Sequence, residues 1–122
     1  MIAVVDYGMG NLKSVEKGLK KVGCEVLITR DFAKIKESRG LVLPGVGSFR
    51  DCMRNLKERE LIQPILNFIA SGRPFLGICL GMQILFSESE EFGKSRGLNI
   101  IKGRVVHFPL QKEIKIPHMG WN

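Results

Sequence analysis

The chain has 122 residues, of which 44% are hydrophobic and 25% are charged, a composition that fits one soluble globular domain and excludes disordered and collagen-like chains. Its apolar runs are far shorter than the roughly twenty residues that a membrane-spanning helix needs. The net charge of +7 comes from scattered basic residues without interleaved aromatics, so we expect solvated helix faces and no nucleic-acid or membrane partner. The first residues enter an apolar run with no basic segment ahead of it, which predicts no signal peptide and a cytoplasmic location.

The first thirty residues predict a β-α-β unit. Residues 2–5 form a continuous apolar run, as in a strand buried on both faces of a parallel sheet. Asn11 is expected to cap a helix with apolar residues at helical spacing, and Gly23 to end that helix in a left-handed conformation. A second strand over residues 25–28 then implies parallel pairing with a right-handed crossover.

The rest of the chain repeats this alternation. Further strands are predicted over residues 41–43 and 74–78, and helices from near Ser48 to Leu56, over 62–69 and over 80–86. Residues 88–94 are interpreted as a surface loop, and 105–108 and 115–116 as strands of a mixed extension. We therefore expect a single α/β domain over residues 1–122. Its predicted architecture is an open, mostly parallel, flavodoxin-like sheet with helices on both faces and ligands at the carboxyl ends of the strands.

The cysteines favour a nucleophile over a disulfide framework or a metal site. Three cysteines are an odd number, and no Cys-x-x-Cys pair occurs among them. Cys24 and Cys52 are interpreted as packing residues. Cys79 lies in Gly77-Ile78-Cys79-Leu80-Gly81, which has the Gly-x-nucleophile-x-Gly pattern of a nucleophile elbow between a predicted strand and a predicted helix.

Such an elbow places its nucleophile on a tight turn, where glycines two residues away on either side avoid collision with the neighbouring backbone. Cys79 would then stand at a helix N-terminus, where backbone N–H groups and the helix dipole favour a thiolate. The N–H of Leu80 could hold a developing oxyanion. The alternative is a buried structural cysteine at a glycine-rich strand end.

Two other glycine turns follow strands. Residues 44–47 could line an anion site beside the elbow, although a plain strand-to-helix turn is the alternative. The Gly8-Met9-Gly10 segment does not extend to a dinucleotide fingerprint, because residue 13 is lysine and no acidic residue ends the second strand. We therefore expect no cofactor and no metal. The chain has two candidate bases for the cysteine, His107 and His118, and neither lies in a compact His-x-Glu arrangement.

Four segments in order carry a resemblance to a known family: residues 6–15, 43–47, 77–83 and 117–122. Together they resemble the glutaminase subunits of imidazole glycerol phosphate synthases, which are class I glutamine amidotransferases, and the resemblance covers the whole chain. It implies that glutamine is hydrolysed to glutamate and ammonia through a thioester on Cys79. The ammonia would pass to a (β/α)₈-barrel cyclase subunit that makes imidazole glycerol phosphate in histidine biosynthesis.

The resemblance also implies roles for individual residues. The N–H of Leu80 and the backbone of Gly45, Val46 and Gly47 would stabilise the oxyanion. In the segment 45–47, a peptide would first reorient when the partner binds. Gln83 and Glu91 match positions that hold glutamine. The residues that match the face turned to the cyclase, in a heterodimer, are Asn11, His118, Met119 and Trp121. Ordinary structural roles, on a helix surface, in a solvated loop or in the core, remain open for Gln83, Glu91 and Trp121.

The chain departs from the family because relatives continue into strands that carry the His and Glu of the triad. We expect a C-terminally incomplete domain that has the nucleophile without its base and shows no glutaminase activity as it stands. Bare strand edges would favour self-association. Two alternatives stay open: a paralogous glutaminase that feeds a sugar-amidinating enzyme, and an inactive partner-binding domain. A third, a different cysteine enzyme such as a peptidase or chaperone relative, is disfavoured by the segments around Asn11 and Trp121.

Overall fold

The computed structural model of the protein describes residues 1–90 and 93–106. In this part of the chain the strands are β1 Ile2–Val5, β2 Val26–Thr29, β3 Gly40–Gly45, β4 Phe75–Cys79, β5 Phe86–Ser89, β6 Ser95–Arg96 and β7 Ile101–Val105. The helices are α1 Leu12–Lys21, α2 Phe32–Glu37, α3 Phe49–Glu58, α4 Ile62–Ala70 and α5 Leu80–Gln83.

Within the described residues, the main sheet has four strands in the order β2-β1-β3-β4, and every neighbouring pair is parallel. A parallel pair requires a crossover between its strands, which α1 provides for β1 and β2. All four strands therefore end at the same edge of the sheet. The turns after β1, β3 and β4 meet there, and this convergence positions the candidate site.

One face of this sheet carries most of the buried core. Successive side chains of a strand point to opposite faces, so Ala3, Val5, Leu41 and Leu43 share a face. They belong to one buried cluster with residues of α2, α3 and α4, namely Ile35, Phe49, Cys52, Leu56, Ile65 and Phe68. Full burial of a Val, Leu, Ile or Phe side chain stabilises a fold by about 1.5–3 kcal/mol.

The opposite face is covered in part by α1. Leu19 of α1 lines an apolar cavity of about 200 Å³ with Ile2, Val42 and Leu76. Leu76, on edge strand β4, is 51% exposed. The prediction of a parallel α/β sheet with helices on both faces is confirmed. Among residues 1–90 and 93–106, the helices are all too short or too polar to span a bilayer.

The predicted helix ends are confirmed where a local signal marks them. Asn11 accepts a hydrogen bond from the Ser14 N–H at 3.3 Å, and Ser48 accepts one from the Asp51 N–H at 3.1 Å. Gly23 follows α1 with φ of +92°. Helix α2 was not predicted, because its six residues contain one buried side chain, Ile35, and show no apolar periodicity.

The predictions after residue 80 are wrong in part. The expected helix over 80–86 ends at Gln83, and Phe86 instead begins β5. Residues 88 and 89, expected in a loop, belong to β5, which pairs antiparallel with β6 and parallel with β7. These long-range pairings override the local helical pattern of the apolar residues. The strand expected at 105–108 lies earlier, at Ile101–Val105, while His107, Phe108 and the strand expected at 115–116 lie outside the described residues.

Candidate functional site

Cys79 lies on a strained turn between β4 and α5. Its φ of +54° and ψ of −118° are rare for a residue with a side chain, and such a conformation costs about 1–3 kcal/mol. Cys79 is exposed, whereas Cys24 is half-buried and Cys52 is buried. Strained and exposed, Cys79 has the geometry of a nucleophile elbow and not of a buried packing residue.

The two glycines that flank Cys79 are required by close backbone contacts. A Cβ atom at Gly77 would lie 2.5 Å from the carbonyl oxygen of Gly81. A Cβ atom at Gly81 would overlap the carbonyl oxygen of Leu43 in β3. The steric reason predicted for the Gly-x-Cys-x-Gly pattern is therefore confirmed.

Helix α5 supplies less of a dipole than the sequence suggests. It has four residues and begins at Leu80, directly after Cys79. The N–H of Leu80 belongs to the first turn, where backbone donors have no partner within the helix. One turn carries only a fraction of the macrodipole of a long helix, so local N–H groups are the relevant donors beside the thiol.

The glycine loop, residues 44–47, lies next to the elbow. In the parallel register Gly45 is opposite Cys79, and Pro44 is opposite Ile78. Val46 is 54% exposed and Gly47 has φ of +102°. Both glycine-containing turns therefore meet at one edge of the sheet, as the sequence predicts.

Tyr7, which was not among the predicted site residues, contacts the glycine loop through a hydrogen bond to Pro44. Tyr7 is fully buried and its hydroxyl donates a hydrogen bond of 2.5 Å to the carbonyl oxygen of Pro44. The same hydroxyl lies 2.9 Å from Sγ of Cys52 in α3. The available signal was position, because Tyr7 follows β1 at the edge where the other two turns lie.

Burial keeps both partners of this contact neutral. Desolvation raises the pKa of the Cys52 thiol to about 11. Desolvation also raises the pKa of Tyr7 well above its usual value. Cys52 is therefore a neutral, buried thiol, in agreement with its predicted packing role.

The other residues singled out in the sequence are spread over the chain. Gln83 ends α5, four residues after Cys79, and is half-buried. Asn11 is exposed at the start of α1. The remaining candidates, Glu91, His107, His118, Met119 and Trp121, lie outside the described residues.

The described part of the chain offers no metal centre. Across residues 1–90 and 93–106, no three His, Cys, Asp or Glu side chains lie close enough to hold an ion. The turn at Gly8 and Gly10 is packed against protein atoms. A Cβ atom at Gly8 would lie 3.1 Å from Nη2 of Arg59, and one at Gly10 would lie 3.0 Å from Cβ of Pro44.

The fold and the site together define a class of protein. It is an open parallel α/β domain with an exposed cysteine on an elbow turn, beside a glycine loop at the carboxyl edge of the sheet. The family model for glutamine amidotransferase class-I matches residues 3–122. The chain belongs to the class-I glutamine amidotransferase family.

Curated relatives agree with this assignment. The chain is 58% identical to the imidazole glycerol phosphate synthase subunit HisH of Syntrophotalea carbinolica, over 100% of this chain and 62% of that protein. It is 56% identical to the HisH subunit of Geobacter metallireducens, over 99% of this chain and 60% of that protein. The chain thus spans about three-fifths of the length of these relatives.

Solved structures show the same fold at low sequence identity. A structure described as a glutamine amidotransferase superposes with a TM-score of 0.74 at 17% identity, over 93% of this chain and 60% of that one. A putative peptidase E from Listeria monocytogenes superposes with a TM-score of 0.63 at 16% identity, over 82% of this chain and 62% of that one. These two likenesses concern the fold alone.

Proposed function

We propose that the complete protein hydrolyses glutamine to glutamate and ammonia, and that Cys79 is the nucleophile. The single observation that carries this proposal is the exposed Cys79 on its strained elbow turn, with the Leu80 N–H and the glycine loop beside it. Family membership supports the reaction class, and the HisH relatives support a role in histidine biosynthesis.

The first chemical step is attack of the Cys79 sulfur on the carboxamide carbon of glutamine. A C–S bond forms and the carbonyl π electrons move to oxygen, giving a tetrahedral oxyanion. The Leu80 N–H and the backbone of Gly45, Val46 and Gly47 are the proposed donors for this oxygen. Removal of one donor of this kind lowers kcat by roughly 100-fold to 1,000-fold.

The second step releases ammonia and then glutamate. The C–N bond breaks as the nitrogen takes a proton, which leaves a thioester on Cys79. Water then attacks the thioester carbon, the C–S bond breaks and the sulfur recovers its proton. These proton transfers need a base, which we assign to the His and Glu that the family resemblance implies beyond residue 122.

Substrate and partner contacts complete the proposal. Gln83 lies one turn beyond Cys79 and would bind the glutamine, together with Glu91. Ammonia would pass to a (β/α)₈-barrel cyclase subunit in a heterodimer, through a face that includes Asn11 and the segment with His118, Met119 and Trp121. The names of the relatives favour this acceptor over a sugar-amidinating enzyme.

A mechanism-based label tests the nucleophile. The complete gene product, with its cyclase subunit, is treated with a diazoketone analogue of glutamine and digested for mass spectrometry. We expect a covalent adduct on the peptide that contains Cys79, with parallel loss of glutamate formation. The half-buried Cys24 offers a matched control.

The control variants separate this site from general thiol reactivity. Cys24→Ser should be labelled and active like the unchanged protein, and Cys79→Ser should be neither labelled nor active. A catalytically active Cys79→Ser protein, or an inactivating adduct on another residue, would refute the proposal.

A further inference from the structure

Tyr7 and Cys52 form a buried polar contact beside the glycine loop. The proposed chemistry does not use this contact. We propose that Tyr7, oriented by Cys52, is a positioning residue that holds the Pro44 carbonyl and thereby sets the orientation of the glycine loop beside Cys79. This inference rests on the proposed function for its kinetic consequence, but its structural content can be tested separately.

The hydrogen bond reaches the peptide that begins the loop. The Tyr7 hydroxyl donates to the carbonyl oxygen of Pro44, whose peptide plane also contains the N–H of Gly45. In a trans peptide the C=O and the N–H point in opposite directions, so fixing one fixes the other. Tyr7 therefore restrains the peptide that carries the Gly45 N–H, at the position where β3 pairs with β4 directly opposite Cys79.

The protons of this contact can be assigned from its donors and acceptors. The Pro44 carbonyl can only accept, so the single hydroxyl proton of Tyr7 must go to it. The thiol of Cys52 must then donate its own proton to the Tyr7 oxygen. Cys52 thus orients the Tyr7 hydroxyl toward Pro44, and both groups stay neutral because burial disfavours their anions.

Close packing leaves the loop little freedom at this point. A Cβ atom at Gly45 would lie 2.6 Å from the Tyr7 hydroxyl oxygen and 3.0 Å from both the Gly81 nitrogen and Cβ of Leu80. The space beside Gly45 that a Cβ would occupy is therefore filled by Tyr7 and by the start of α5. Further along the loop Val46 is exposed, so this close packing acts at the buried end of the loop.

Kinetics of the complete gene product with its cyclase subunit test the catalytic consequence. Tyr7→Phe keeps the ring and removes the donor, so we expect kcat for glutamine hydrolysis to fall by about tenfold or more with KM changed by less than about twofold. Ile65→Val, a buried change in α4, is the matched control for core destabilisation and should keep kcat within about twofold. An equal kcat for Tyr7→Phe and Ile65→Val would overturn the inference.

Two substitutions at Cys52 test the contact that orients the Tyr7 hydroxyl. They also replace Tyr7→Phe as the test of the inference if that variant does not fold. Cys52→Ser keeps a donor for the Tyr7 oxygen, whereas Cys52→Ala removes it. We expect kcat of the serine variant to stay close to that of the unchanged protein and kcat of the alanine variant to fall by about threefold or more. Equal kcat values for the two variants would refute the role of Cys52 and, where Tyr7→Phe is unfolded, the inference as a whole.

Hydrogen exchange separates this inference from the proposed function, because it requires no activity. In Tyr7→Phe, or in Cys52→Ala where the former is unfolded, the amides of Gly45, Val46 and Gly47 should exchange about tenfold faster. Those of α1 should be unchanged, and Ile65→Val should alter neither. Unchanged exchange in the glycine loop overturns the inference whatever the kinetics show. Faster loop exchange in these variants, combined with no glutamine hydrolysis by the unchanged protein with its cyclase subunit, would refute the proposed function alone.

Discussion

Gly45 at the end of β3 lies directly opposite Cys79 at the end of β4 in the parallel register of the two strands. Through this pairing, Gly45 lies beside Cys79. A Cβ atom at Gly45 would have no room, and the backbone of Cys79 is strained. The candidate site is therefore built by sheet pairing as much as by the elbow turn.

The backbone approach at Gly81 predicts a severe effect of a single methyl group. In Gly81→Ala the new Cβ would overlap the Leu43 carbonyl oxygen, so β3 and α5 must separate. We expect the free energy of unfolding, measured by urea denaturation, to fall by about 3 kcal/mol or more. Gly18→Ala is the matched control, because Gly18 lies in α1 with no neighbouring atom within 4 Å of its Cβ position. It should stabilise the protein by about 0.5–1 kcal/mol, and an equal loss in both variants would contradict the packing argument.

The buried thiol predicts a loss of stability at alkaline pH. Burial raises the pKa of Cys52 from an ordinary 9.0 to about 11, so the unfolded chain releases this proton first as the pH rises. Stability from this group is complete below about pH 9 and falls by about 1 kcal/mol per pH unit up to about pH 11. Tyr7, whose pKa is also raised, adds to the loss at higher pH. Urea denaturation between pH 7 and 11 should show a flatter profile for Cys52→Ala, and identical profiles would count against the assignment.

The position of Gln83 predicts a defect in substrate binding. Gln83→Ala removes an amide that we place against the glutamine, so KM should rise by about fivefold to tenfold, which is the loss of about one hydrogen bond. Met82→Ala is the neighbouring control, because Met82 is 43% exposed. Steady-state kinetics of the complete protein measure both. A KM for Gln83→Ala equal to that of Met82→Ala would show that Gln83 does not bind the substrate glutamine.

Two substitutions at Asn11 separate its capping role from its proposed partner contact. Asn11 caps α1 through its side-chain oxygen, which accepts from the Ser14 N–H. Asn11→Ala should therefore lower the free energy of unfolding by about 1 kcal/mol, whereas Asn11→Asp should preserve it. If the amide nitrogen contacts the cyclase, both variants should bind that subunit about tenfold more weakly by titration calorimetry. Unimpaired binding by Asn11→Asp would limit Asn11 to capping.

Features that depend on near neighbours in the chain can be predicted from the order of the amino acids. Asn11 and Ser48 mark helix starts because their side chains reach N–H groups three residues ahead. Gly77, Cys79 and Gly81 predict the elbow because the pattern lies within five consecutive residues, although the atom that excludes a Cβ at Gly81 is the Leu43 carbonyl oxygen in β3. The β-α alternation predicts the parallel sheet for a similar reason, since period and element length are local properties.

Features that depend on contacts between separate elements follow instead from how the whole domain packs. The strand at Phe86–Ser89 replaces a predicted helix because its hydrogen-bond partners lie in β6 and β7. Tyr7 meets Pro44 and Cys52 across 37 and 45 residues, and no local pattern of apolar or polar residues encodes that contact. The physical reason is that strand order and register determine which side chains lie together at one edge of the sheet. Strand order and register depend in turn on the packing of the whole domain.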